Sequence, residues 1–431
     1  MSEFELIIIG GGLASARAIK AYREAGGAGK IALVSADSTI PSHRPPLSKS
    51  YLRREAARED TIVEPQSFYD DNDVELLLST TVVAIEPRER AVATADGRPL
   101  RYRKLLIASG VLPRQLHVAG ADLPGVFTLR SLDDATAIRD AAAAARDAVV
   151  VGSGFIGIEV AASLTELEID VTLVSRNADL FAHLGSPEIS EHLVQLYRRH
   201  GIDVVRGDEV RAFRGHSHLD TVELHAGNPI GASLAVVGIG VTPAVGFLNG
   251  SGITVGNGIV VNERFETNVP NIYAAGDVAC FLDPLTGRQR RIEHWSNASY
   301  QGSQVGRILA GADGGYNRIA TFFTESFGLT LKVFGDTSHH DDRATRGSFA
   351  DGNAIVFYLA AGHLVASLHS GQDDETEKQL KQLIGDRATP RDMRALADNS
   401  LSLNDAFVAR RVRNSGGVVF VDESAEEIAT P

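Results

Sequence analysis

Residues 148–167 read AVVVGSGFIGIEVAASLTEL. A short run of β-formers enters Gly152 and Gly154, and apolar residues then recur at helical spacing. Strand, glycine turn and helix in that order bring free helix N–H groups and the positive end of a helix dipole to one point, where a pyrophosphate is held. Gly152 and Gly154 let the backbone turn and approach such a group, while Gly157 lets the helix pack closely against the strand. One pattern of this kind is weak evidence. Residues 5–22, ELIIIGGGLASARAIKAY, repeat it with Gly10 and Gly12 in the turn, Leu13 and Ala14 opening the helix and Ser15 in the third small place. Each copy is followed by another strand, KIALVSAD (30–37) and DVTLVSRN (170–177). The doubled unit predicts an α/β protein with two Rossmann-like dinucleotide-binding domains. Two nucleotide sites in one chain imply that one dinucleotide passes electrons to another.

Composition narrows the class. With 431 residues, 44% apolar and 23% charged, the chain has room for several domains of about 100–200 residues each. A net charge of −13 argues against nucleic acid or an anionic membrane as partner, since both require a positive footprint. Cys280 is the only cysteine, which excludes an intramolecular disulfide and a CxxC redox pair. The sequence enters its first strand at once, without a basic leader or long apolar segment, so a cytoplasmic protein is expected.

A third stretch, TNVPNIYAAGDVA (267–279), carries a buried strand into Gly276 and Asp277. An acid beside glycine at a strand's C-terminal end suits a polyol chain or a pyrophosphate site. This stretch resembles the second FAD motif of the two-dinucleotide-binding-domain flavoproteins. KLLIASGVLPR (104–114) is similar to the segment that links their nucleotide domains, and SHRPPLSKSYL (42–52) resembles the signature of their cysteine-free branch. VVGIGVTPAVGFL (236–248) and RIEHWSNASYQG (291–302) also fall where that branch expects them. The branch comprises putidaredoxin and rubredoxin reductases, the ferredoxin reductases of ring-hydroxylating dioxygenases, and apoptosis-inducing factor.

The resemblance implies a glutathione-reductase-like architecture. An FAD domain would occupy 1–112 and 246–321, an inserted NAD(P) domain 113–245, and a C-terminal α+β domain 322–431, with a tail from about residue 409 that has no family counterpart. For that last domain the residues themselves predict an antiparallel sheet and a helix over DDETEKQLKQLIG (373–385). By resemblance, Lys49 stands near flavin N5, paired with Glu159, and these are the candidate catalytic residues. Gly10, Gly12, Leu13, Ala14 and Ser15 would meet FAD, with Arg44 on its pyrophosphate and Asp277, beside Gly276, on its ribityl chain. Val83, Ala108, Ser109 and Gly110 would line its path, and Arg130 would support the domain junction. Glu293, His294 and Trp295 would lead a helix N-terminus to the flavin. Gly152, Gly154, Phe155, Ile156, Gly157 and Glu159 would meet the nicotinamide nucleotide, together with Ser175, Arg176, Gly238, Ile239 and Gly240.

Departures from the family pattern are informative. Ala36 stands where relatives carry an acid for the adenosine ribose, and Asp37 is expected to replace it. FFTESFG (322–328) places Thr324 where an aromatic at the flavin's exposed edge is expected. At the end of DVTLVSRN, Ser175 replaces the acid that would bond the NADH ribose, and Arg176 follows; this favours NADPH over NADH, with His183 the next candidate cation.

With cysteine relays excluded, the resemblance implies electron transfer from NAD(P)H through FAD to a separate ferredoxin or rubredoxin serving an oxygenase. Such partners tend to be acidic, and Arg288, Arg290 and Arg291 would form a docking patch, with Arg410, Arg411 and Arg413 as a second cluster. A monomer or weak homodimer is expected. The alternatives are a redox-sensing interaction protein like apoptosis-inducing factor and a monodehydroascorbate-type reductase of small molecules.

Overall fold

The structure, a computed structural model, describes residues 3–408. Residues 3–113 supply strands β1 (Glu3–Ile9), β2 (Ile31–Val34), β3 (Val74–Leu77), β4 (Val82–Glu86), β5 (Ala91–Thr94), β6 (Pro99–Ile107) and β7 (Val111–Pro113), with helices α1 (Leu13–Glu24) and α2 (Gln66–Asp71). Next come β8 (Val126–Thr128), α3 (Leu132–Ala142), β9 (Asp147–Val151), α4 (Phe155–Glu166), β10 (Asp170–Ser175), α5 (Pro187–Arg199) and β11 (Asp203–Arg206). Five short strands follow: β12 (Val210–Arg214), β13 (Thr221–Leu224), β14 (Ile230–Gly231), β15 (Leu234–Val237) and β16 (Val241–Pro243). The chain then forms β17 (Val255–Gly256), β18 (Gly258–Val260), β19 (Ile272–Ala274), β20 (Ala279–Asp283), β21 (Arg288–Arg290) and α6 (Trp295–Leu309). The last part holds β22 (Thr321–Ser326), β23 (Leu329–Gly335), β24 (Asp342–Ser348), β25 (Asn353–Ala360), β26 (His363–Ser370), α7 (Asp374–Gly385) and α8 (Met393–Ala397).

The two glycine-turn units build two sheets of the same kind. In the first, the order is β3-β2-β1-β6-β5-β4, with β19 returning late in the chain to pair in parallel with β6. In the second, the order is β11-β10-β9-β15-β8, all parallel. Strands buried on both faces read as apolar runs, and LIII and VVV do. The two passages of chain between these sheets, β7 and β16, pair with each other. The third sheet, β22-β23-β26-β25-β24, is antiparallel throughout. The acid-rich helix expected over 373–385 is α7, with Asp373 as its N-cap accepting from the Thr376 N–H.

Helix α6 is pressed onto α1 by missing side chains. A Cβ at Gly302 would lie 2.3 Å from the Ala14 carbonyl oxygen, and one at Gly306 2.4 Å from that of Ala18. Close backbone contact of this kind fixes the middle of α6 against the first turns of α1. Residues 409–431, including Arg410, Arg411 and Arg413, lie outside the described residues. Among the described residues, no helix is long and apolar enough to cross a membrane.

Candidate functional site

Both turns have the same build. Gly10 (φ +117°) and Gly152 (φ +112°) sit where a Cβ would fall 2.2 Å from a carbonyl oxygen, of Ala108 and Gly238 respectively. Gly12 and Gly154 are the N-caps of α1 and α4, and no side chain caps either helix. A Cβ on Gly12 or Gly154 would meet nothing within 4 Å. Each helix therefore presents uncapped N–H groups to open space, which is what a dinucleotide's phosphates require. Leu13, Ala14 and Ser15 are buried in the first turn of α1, and Ser15 Oγ donates to the Gly10 carbonyl oxygen.

Around the first turn the candidates form one chain of contacts. Arg44 Nη2 lies 2.8 Å from Asp37 Oδ2, Arg44 Nη1 donates to the Arg130 carbonyl at 3.0 Å, and Arg130 Nη2 lies 3.2 Å from Asp277 Oδ2. Burial, and next the neighbouring Arg130 guanidinium, lower the Arg44 pKa. Two crowded cations beside a bare helix N-terminus fit a pyrophosphate. Asp37, the acid next to Ala36, thus meets Arg44. Ser109 Oγ donates to the Ala244 carbonyl at 2.8 Å, and Gly110 (φ +67°) lies against the Arg130 guanidinium. Gly276 donates its N–H to Gln301 Oε1 at 2.9 Å. Val83 is half exposed on β4, the outer strand of its sheet.

Lys49 and Glu159 meet. Lys49 Nζ lies 2.6 Å from Glu159 Oε1, and the carboxylate is 6% exposed. Two hydroxyls complete its shell: Ser48 Oγ donates to Oε2 at 2.6 Å and Thr324 Oγ1 to Oε1 at 2.7 Å. Ser163, one turn further along α4, holds the Ser48 carbonyl at 2.7 Å. A carboxylate taken out of water keeps its charge only with such partners. The three donors come from the segment after β2 and from β22, so three parts of the fold converge on α4. Ser48 and Thr324 were not legible as site residues in the sequence.

Thr324, in the place where an aromatic is expected, turns its side chain inward to Glu159. The adjacent Phe323 lies edge-on to Trp295 at 6.2 Å between ring centres. His294 accepts from the Phe323 N–H at Nε2 (3.3 Å), and its Nδ1 lies 2.8 Å from Ser296 Oγ and accepts from the Ser296 N–H at 3.3 Å. Burial, then the Lys49 charge, push its pKa down to about 3. The sign follows. Between about pH 6.5 and 3 the unfolded chain binds a proton that the folded protein refuses, so stability present above pH 6.5 is lost as pH falls. In urea titrations the stability lost between pH 7 and 5 is expected to be about 2 kcal/mol smaller in His294→Gln. An unchanged pH slope would contradict it.

At the second turn, Phe155 packs against Phe181 (4.9 Å) and edge-on to Phe322 (5.4 Å), while Ile156 is 38% exposed. Ile239 packs with the core beneath β15, and Gly240 (φ +100°) leads into β16. Ser175 is buried: its Oγ lies 2.8 Å from Ser153 Oγ and donates to the Asn177 carbonyl at 2.9 Å. Arg176 is exposed, with Nε 3.7 Å from Glu209 Oε1. His183 is flanked by Phe155 and Phe181, and loss of solvation lowers its pKa. A neutral imidazole there is a poor second cation.

The arginine patch is corrected. Arg290 turns inward to Asp283 (2.9 Å) and Asp336 (3.6 Å), and Arg291 pairs with Glu293 and donates to the Asp277 carbonyl at 2.9 Å. Only Arg288 of the three is exposed, because Asp283 and Asp336 claim Arg290 while Glu293 and the Asp277 carbonyl claim Arg291.

Residues 4–302 match the pyridine nucleotide-disulphide oxidoreductase family, and residues 321–407 match the reductase C-terminal family. The chain belongs to the pyridine nucleotide-disulphide oxidoreductase family. It is an oxidoreductase of the kind that includes ferredoxin and rubredoxin reductases. It is 34% identical over 369 residues to the ferredoxin reductase subunit of a 5,5'-dehydrodivanillate O-demethylase from a Sphingobium species, covering 85% of this chain and 90% of that one. It is 33% identical over 416 residues to putidaredoxin reductase of Pseudomonas putida, covering 95% and 98%. Among solved structures it superimposes on putidaredoxin reductase in covalent complex with putidaredoxin, with TM-score 0.88, 33% identity and coverage of 93% and 97%. A ferredoxin reductase of Rhodopseudomonas palustris gives TM-score 0.87 at 30% identity, covering 94% and 100%. Despite the family's name, a disulfide relay is impossible here: Cys280 is single and buried. The family is FAD- and NAD(P)H-dependent.

Proposed function

We propose that the protein takes electrons from a reduced nicotinamide nucleotide and passes them, through FAD, to a small iron–sulfur protein of the ferredoxin or rubredoxin type. The observation that carries this reading is the Lys49–Glu159 pair, in a chain with two uncapped glycine-turn helix N-termini and without a cysteine pair. FAD, when bound, accepts a hydride and releases electrons singly. At the first turn, the α1 N–H groups, Arg44 and Arg130 would hold the pyrophosphate, and Asp277 the polyol chain. At the second, the α4 N–H groups and Gly154 would hold the nicotinamide nucleotide. Glu159 fixes the Lys49 ammonium at one point, and an ammonium fixed in a site of low solvent access stabilises negative charge that develops beside it. His294, neutral and sharing its Nε2 with the Phe323 N–H, orients the Trp295–Phe323 aromatic pair.

The nucleotide is NADH or NADPH, and the lack of an exposed carboxylate at Ser175, with Arg176 adjacent, favours the 2'-phosphorylated form.

The test is anaerobic stopped-flow reduction by NADH and by NADPH, followed by mixing with a two-iron ferredoxin and cytochrome c. Cytochrome c reduction that depends on the ferredoxin is expected. A protein whose flavin is reduced by nucleotide but which then reduces no iron–sulfur protein would overturn the proposal.

A further inference from the structure

The end of β10 is where a nucleotide-binding unit of this kind meets the adenosine ribose. The side chain expected there, Ser175, is 1% exposed and spends its hydroxyl on Ser153 and the Asn177 carbonyl. It has nothing to offer a ligand. Arg176 stands in the open beside it, and Glu209 stands opposite Arg176.

Glu209 is held in that place by the backbone. Gly207 and Asp208 donate their N–H groups to the Ser175 carbonyl, at 2.8 and 3.2 Å, which stitches the loop directly to the end of β10. The Asp208 carboxylate, 8% exposed, accepts from the N–H groups of Glu209 (2.8 Å), Ala226 (3.2 Å) and Gly227 (2.8 Å). The Glu209 carbonyl in turn accepts from the His225 N–H at 3.0 Å. A loop pinned on both sides carries one exposed carboxylate to the edge of the ribose position. That carboxylate comes from the loop after β11, outside the glycine-turn unit.

We propose that Glu209 is a specificity-determining residue that restores part of the negative charge missing at Ser175 and restrains Arg176, so that the preference for NADPH over NADH is narrow. The inference rests on the nucleotide reading of the second glycine turn. A 2'-phosphate carries more than one negative charge. To reach Arg176 it must displace Glu209 and tolerate its repulsion, whereas unmodified ribose hydroxyls donate to the same carboxylate. Both side chains are exposed, so the pair is screened and its effect is modest, about fivefold.

The experiment measures dissociation constants of 2',5'-ADP and 5'-AMP by calorimetry on the flavin-loaded protein and its Glu209→Gln, Glu209→Lys and Arg176→Ala variants. Glu209→Gln is expected to shift the ratio of the two constants about fivefold toward 2',5'-ADP. Glu209→Lys should shift it further, and the gain from Glu209→Gln should shrink in an Arg176→Ala background. An unchanged ratio in both Glu209 variants, with both nucleotides still bound, would overturn the role of Glu209 and leave the nucleotide site standing. Failure of the unaltered protein to bind either nucleotide would overturn the site reading and this inference with it.

Discussion

Glu159→Ala is expected to lower the free energy of unfolding by about 3–5 kcal/mol and to slow reduction of the bound flavin by nicotinamide on the order of a hundredfold. Glu159 accepts from Lys49, Ser48 and Thr324 in a site with little solvent access. Its removal leaves an ammonium and two hydroxyls without their acceptor, and the cost is mostly that of the stranded charge. The ammonium also loses the fixed point from which it acts, so rate and stability fall together. Lys49→Met should cost less stability, because the remaining carboxylate keeps two hydroxyl donors. The double variant should recover part of the loss in Glu159→Ala, giving a coupling energy in urea titrations at pH 7. Additive effects of the two single variants would show that the pair is not coupled, whatever their separation.

The parts of this arrangement that could be read in the sequence were those set by local chemistry. The two glycine turns follow from Gly10 and Gly152, where positive φ and a facing carbonyl exclude a Cβ, and from Gly12 and Gly154, which leave the helix starts open. The helix at 373–385 follows from its acidic start and amphipathic spacing. Lys49 and Glu159 are 110 positions apart, and nothing in either segment encodes their contact; only the resemblance joined them. The donors Ser48 and Thr324 were missed because a hydroxyl in a strand or turn has no signature until its partner is known. The inward turn of Thr324 depends on the phase of its strand, which decides whether it or Phe323 faces Glu159. Arg290 and Arg291 misled for a related reason: a run of cations reads as a surface patch unless buried acids such as Asp283 lie opposite. The charge at the ribose position was read only from β10, whereas Glu209 arrives from a neighbouring strand's loop.

Exchanging the third small residue between the two turns should separate them functionally. Gly157→Ser is expected to weaken 5'-AMP binding on the order of a hundredfold while flavin retention stays unchanged; Ser15→Gly should leave both cofactors bound at a cost of about 1–2 kcal/mol. The asymmetry comes from how each helix is held. A Cβ at Gly157 would lie 1.9 Å from the Gly152 carbonyl oxygen, so helix or turn must move. Helix α4 is not free to move, since Ile158 is in the core and Glu159 is tied to Lys49, Ser48 and Thr324. The turn must therefore give way, and with it the N–H groups that a phosphate requires. In the first copy the turn already accommodates a side chain, and the Ser15 hydroxyl donates to the Gly10 carbonyl, the counterpart of the one that Gly157 approaches. Removing it loses one hydrogen bond and adds a helical glycine, but leaves the turn in place. Calorimetry with 5'-AMP and the flavin absorbance of the purified variants would read the two effects independently. Full 5'-AMP affinity in Gly157→Ser would mean that the second turn is not the nucleotide site.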